Sequence, residues 1–176
     1  MLSHTVAEYM NSGHRVDTSV EFSGISLLSG VGGGLIGGVA MGIILYGGAN
    51  LMPFIGALYG APTEVGGWIA HLINSVLIGL LFAVIVSQPI IRERMKSMWD
   101  YIVAGVIYAA AVGLVTTGIL LPLSMNLLGV QSLPDPLYPL PEFMGTVLVV
   151  LSVGVAHVVY GFLLGTAYWW LGRVTQ

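Results

Sequence analysis

The chain has no cysteine and almost no charge: of its 176 residues, only 7% are Asp, Glu, Lys or Arg. The missing cysteine excludes disulfides, thiolate metal sites, iron–sulfur clusters and cysteine nucleophiles. It leaves the redox compartment open. Soluble domains carry about 25% charged residues, so this inventory cannot build a water-facing surface. The net charge is −3 and there is no basic run, so nucleic acid is not an expected partner. There is no P-loop, HExxH or GxSxG motif. The run GVGGGLIGG (Gly30–Gly38) lies inside an apolar stretch, with no lysine and no preceding strand, so it is not a nucleotide loop. No Ser/His/Asp set converges. The chain is therefore not expected to be an enzyme by itself; an accessory role in an oxidoreductase complex is the nearest catalytic link.

What is present is hydrophobic, 56% of the residues. Four runs are long enough to cross roughly 30 Å of hydrocarbon as helices. They are approximately Gly24–Gly48, Val65–Ser87, Tyr101–Leu123 and Gly145–Leu171, with no charged residue in any apolar interior. The expected fold is an all-α, polytopic membrane four-helix bundle. The opening MLSHTVAEYMNSGHRVDTSVEF is too polar for a cleaved signal peptide. Residues 1–23 are expected to form a cytoplasmic or interfacial arm, and residues 24–176 a four-span membrane domain. Its His4 and His14 are read as ordinary solvent-exposed residues.

Arg15 precedes the first span, Arg92, Arg94 and Lys96 lie between the second and third, and Arg173 follows the fourth. The other two loops carry no Lys or Arg. The positive-inside rule then predicts a multi-pass cell-membrane protein with both termini cytoplasmic. The two outer loops hold aromatics and aliphatics, with Pro134, Pro136, Pro139 and Pro141 stiffening the second. They are expected at the membrane surface or under a partner, with Trp68 and Tyr138 at headgroup level.

GGVAMGIILY (Gly37–Tyr46) resembles GLVTTGILLP (Gly113–Pro122), and AHLINSVLIG (Ala70–Gly79) resembles AHVVYGFLLG (Ala156–Gly165). The chain reads as two helix–loop–helix repeats. Two spans per unit make the repeats parallel, about an axis along the membrane normal. His71 and His157 then fall at similar depth. Small residues recur every fourth position: Gly30, Gly34, Gly38 and Gly42 on span one, and Gly105, Ala109, Gly113 and Thr117 on span three. Ser75 and Gly79 on span two, and Gly161 and Gly165 on span four, continue the pattern. Such ladders allow close helix packing in lipid. The first is long enough to predict a face left over for another protein, or room for a bound lipid or quinone.

His71, Asn74 and Ser75 share a helix face by their i, i+3, i+4 spacing, as do His157, Tyr160 and Gly161. Three readings fit. Each imidazole hydrogen-bonds across helices, to Asn74, Tyr160, Ser152 or a backbone carbonyl. Alternatively, the two histidines are axial ligands of a b-type haem lying over the small residues, with Asn74, Ser75, Tyr160 and Gly161 around it. One histidine per span argues against two haems. Thirdly, they line a proton or substrate path. The sequence names no other metal site.

The pattern W-x-x-H-L-x-x-S-x-x-x-G-L-x-F-A (Trp68–Ala83), with H-V-V-Y-G-x-x-L-G-x-x-Y (His157–Tyr168), resembles uncharacterised small four-helix integral membrane proteins found mainly in archaeal genomes. The resemblance covers the spans, not the N-terminal arm, and implies the fold without an activity. The expected function is a non-catalytic subunit packed into a larger membrane complex, respiratory or otherwise energy-transducing. It would be surrounded by lipid and by other subunits or copies of itself. The alternatives are a bis-histidine haem b redox carrier and a small dimeric transporter.

Overall fold

A backbone in hydrocarbon must satisfy its own hydrogen bonds, and helices do so locally. The computed structural model describes residues 24–137 and 140–174. Within them lie α1 (Gly24–Ala49), α2 (Met52–Ala57), α3 (Glu64–Val86), α4 (Pro89–Arg92) and α5 (Met98–Val115). A π-helical turn (Thr116–Leu120), α6 (Leu121–Leu128) and α7 (Glu142–Val174) follow. No described residue is in a strand. Among the described residues, four stretches are long and apolar enough to cross a membrane: Leu27–Ala49, Glu64–Val86, Met98–Leu128 and Phe143–Val174. Each overlaps one predicted span. The arm at 1–23, with His4, His14 and Arg15, and Tyr138 and Pro139 of the second loop, lie outside the described residues.

The helix boundaries have local causes. Asn50 at φ 48° turns the chain out of α1, a left-handed conformation that Asn tolerates better than most residues. Thr63 caps α3 by accepting from the Gly66 N–H at 3.0 Å. Ser97 and Asp100 form a reciprocal capping box at the start of α5. There the Asp100 carboxylate accepts from the Ser97 N–H at 2.7 Å. The third span was expected to stop at Leu123. It runs on to Leu128, where Gly129 at φ 67° ends it. Pro122 has no N–H, and its ring crowds the carbonyl four residues back. The chain accommodates Pro122 by widening into the π turn just before it, rather than by ending the helix.

Helix α1 packs along both α3 and α7, and α7 also packs along α5. The ladder Gly30, Gly34, Gly38 and Gly42 faces α3. A Cβ at Gly30 would lie 2.7 Å from the Gly79 carbonyl oxygen, and one at Gly38 2.5 Å from the Ser75 Cβ. Gly33 and Gly37 lie against Leu164 and Tyr160 of α7. Gly105 meets the backbone at Gly161 and Gly165, while Gly113 meets the His157 ring. This corrects the expectation of a spare glycine face on span one: all four ladder positions are filled by α3 within the chain.

The first loop also departs from a surface path. Leu51 and Met52 are buried against Leu45, Val149 and Val153. Helix α2 thus closes one end of the bundle, packing on α3 and α6. Toward the other end, Phe82, Tyr108 and Tyr168 stack around the α3–α5–α7 junction, with Phe82 and Tyr108 centroids 5.5 Å apart. Arg173 lies 4.4 Å over the Trp169 ring at the end of α7.

Candidate functional site

Between these two closed ends the spans leave a cavity of about 300 Å³, at the lower end of the size range of small-molecule sites. Its walls are mostly apolar, with Met41 and Leu45 from α1, Phe54 from α2 and Val112 from α5. Its polar groups come from every span but the first: His71, Asn74 and Ser75 on α3, Thr116 and Thr117 in the π turn, His157 and Tyr160 on α7. The rim includes Leu77 on α3 and Thr117 and Leu120 in the π turn, all exposed. The cavity therefore opens sideways, between α3 and the third span.

The i, i+3, i+4 spacing does place His71, Asn74 and Ser75 on one wall. The His71 Nε2 lies 2.9 Å from the Gly38 carbonyl oxygen of α1. A carbonyl only accepts, so Nε2 carries the proton and Nδ1 is left with a lone pair. Nδ1 makes no hydrogen bond among the described residues, and no buried side-chain nitrogen or oxygen there is unsatisfied. It therefore reaches accessible space, and His71 is one of the residues lining the cavity. The Trp68 ring stands edge-on to the imidazole, 6.2 Å between centroids.

His157 takes the opposite tautomer. Its Nδ1 lies 2.8 Å from the Val153 carbonyl oxygen on its own helix and so donates. Its Nε2 is 3.3 Å from the Thr116 hydroxyl, which is also 3.2 Å from the Gly113 carbonyl oxygen. One hydroxyl proton serves one of these acceptors at a time. Tyr160 donates across the bundle to the Ser75 carbonyl at 2.7 Å, and the Ser75 hydroxyl donates to the His71 carbonyl at 2.8 Å. Tyr59 donates to the Asn74 side-chain oxygen at 2.6 Å. Below the cavity Tyr108 bonds the Ile78 carbonyl at 2.9 Å, tying the third span to α3.

Of the predicted site residues, His71, Asn74, Ser75, His157 and Tyr160 meet at this cavity. Gly161 does not: it packs on Gly105 and Val106. Gly79 and Gly165 are likewise covered, by α1 and by Tyr101 and Ile102 of α5. The strips of small residues beside each histidine are thus filled by neighbouring helices and are not open grooves. Of the anticipated imidazole partners, only a backbone carbonyl is used; Asn74 turns to Tyr59, Tyr160 to Ser75. Sequence reasoning passed over Thr116, Tyr59 and Tyr108. Thr116 had one signal, a proline six residues on inside an apolar run.

Among the described residues, no Asp, Glu, Lys or Arg lines the cavity, and no group of three or more His, Cys, Asp or Glu is placed to hold a metal ion. The arrangement can position hydrogen-bonding groups in an apolar setting, among them the hydroxyl–imidazole contact of Thr116 and His157. Compared with known protein families, curated proteins and solved structures, the chain matches none.

Proposed function

We propose that the chain is an integral membrane protein without bond-making chemistry of its own. It holds a small, mostly apolar molecule between its spans, as one subunit of a larger membrane assembly. The cavity carries this reading: it is apolar overall, sized for a small ligand, and furnished with a few convergent polar groups. Assembly is supported by the third span, whose most apolar stretch is only 17% buried within the chain, against 39–44% for the other three. Arg92, Arg94 and Lys96, between α3 and α5, and Arg173, at the end of α7, share one end of the bundle, which supports a cytoplasmic C-terminus. Contacts at the third rung of each small-residue ladder support a duplicated unit: Gly38 bonds His71 through its carbonyl, and Gly113 packs on His157.

Native mass spectrometry of protein released from mild detergent tests the reading. A retained small molecule that disappears when Val112→Trp fills the cavity, together with co-purifying subunits, supports it. A stable, empty, solitary monomer overturns it.

A bis-histidine haem b is a second reading, favoured by one observation. His157 donates from Nδ1 to a backbone carbonyl, as metal-bound imidazoles commonly do, leaving Nε2 toward the cavity. His71 runs against it, because its Nε2 is held by Gly38. The optical spectrum decides: a Soret band sensitive to His71→Ala and His157→Ala is required. Transport by a dimer requires substrate flux in liposomes that depends on the same histidines.

A further inference from the structure

We propose that the cavity selects a neutral ligand that donates hydrogen bonds, a hydroxyl group carried on a small apolar ring, over carbonyl or ether analogues and over cations. The inference rests on the ligand-holding reading above and names its ligand class.

The reason lies in where the donors already point. Tyr160, Ser75 and Ser124 give their protons to backbone carbonyls at 2.7, 2.8 and 3.0 Å, and Tyr59 gives its own to Asn74. Each histidine has its one N–H turned onto a backbone carbonyl, Gly38 for His71 and Val153 for His157. The histidines and Thr116 are thereby left with lone pairs to offer. His71 offers Nδ1. At His157 either Nε2 or the Thr116 oxygen is open, depending on which acceptor takes the Thr116 proton. Two donors stay uncommitted: the Asn74 amide, on a residue half-buried like Thr116, and the Thr117 hydroxyl at the exposed mouth. Beside the two histidines the lining offers acceptors, which leave a carbonyl or ether oxygen without a partner there, and burying it so is unfavourable. They satisfy a hydroxyl.

Charge separates the remaining candidates. An ammonium group also donates, but no carboxylate of the described residues lines the cavity. A cation there would be desolvated without a counter-ion. A neutral phenol-type hydroxyl meets both conditions.

The test uses the full chain in mild detergent or nanodiscs, with three probes of one shape titrated by calorimetry: 4-propylphenol, its methyl ether 4-propylanisole, and 4-propylbenzylammonium. The expected result is the phenol bound at least about tenfold more tightly than either competitor. His71→Gln keeps both a donor for Gly38 and an acceptor for the ligand, so it should retain the preference. His71→Leu should reduce it severalfold. If His71→Leu is not recovered folded, His157→Gln and His157→Leu carry the same comparison, and the probe series on the unaltered protein needs no variant. Equal affinity for phenol and ether, or tightest binding of the ammonium, overturns the inference while the ligand-holding reading stands. Failure of all three probes, with no molecule retained in native mass spectrometry, overturns both.

Discussion

The Tyr160 hydroxyl donates to the backbone carbonyl of Ser75, 2.7 Å away, joining α7 to α3 across the centre of the bundle. The Tyr160 ring meanwhile packs on Gly37 of α1, where a Cβ would lie 3.0 Å from it. One side chain of α7 thus touches two other spans and links three. Tyr160→Phe keeps the ring and removes the bond, and is expected to cost about 0.6 kcal/mol and at most roughly 1.7. Tyr160→Ala also empties the core and should cost about 3–5 kcal/mol. Reversible unfolding in mixed micelles reads both. Equal losses in the two variants would show that packing is not what Tyr160 supplies.

Gly79 faces the backbone of α1 at Gly30 and Gly34 with no room for a side chain. Gly79→Leu should force α1 and α3 apart and lower the melting temperature sharply or prevent assembly of the bundle. Gly154 has nothing within 4 Å of its would-be Cβ. Gly154→Ala should therefore be neutral or stabilising by up to about 1 kcal/mol from helix propensity. Thermal melts of the two variants side by side check the contrast.

Pro122 is the physical cause of the π turn at Thr116–Leu120. With Pro122→Ala the turn can relax to regular helix. That shifts the two sides of the third span by one residue, about 100° of rotation. Either Val112 and Thr116 or Leu121 and Ser124 then leave the cavity wall. Amide hydrogen exchange should show new protection at residue 122, and any bound small molecule should be held less tightly. Unchanged exchange and retention would place the cause of the turn elsewhere.

Ser97 and Asp100 cap α5 at its exposed start. Ser97→Ala removes the acceptor for the Asp100 N–H and should destabilise the chain by about 1 kcal/mol. Faster amide exchange in the first turn of α5 should accompany the loss. The effect should be confined to that turn, since the box touches no other span.

The four long helices were legible because apolar length is a coarse signal: Gly24–Gly48 was predicted where α1 runs Gly24–Ala49. The common wall of His71, Asn74 and Ser75 was legible because helical spacing alone fixes it. Where the third span ends was not. Pro122 reads as a stop when only local preference is weighed, yet the helix widens and continues because its backbone still needs partners. The buried Met52 was equally hidden, since nothing in ANLMPFIGAL tells a loop at the membrane surface from one tucked beneath α1. Nor could the sequence say that Gly161 would be closed by Gly105 while Tyr160, one residue away, reaches Ser75. That depends on which helix lies beside which.

The sideways mouth between Leu77 and the Thr117–Leu120 turn sets how any occupant would arrive. If the four apolar helices cross a bilayer, this door faces acyl chains rather than water, and a molecule must first dissolve in the bilayer. The concentration that governs occupancy is then moles of ligand per mole of lipid, and apparent affinity in water is multiplied by the partition coefficient. Diluting the protein with extra lipid at fixed total ligand should empty the site, although the aqueous volume has not changed.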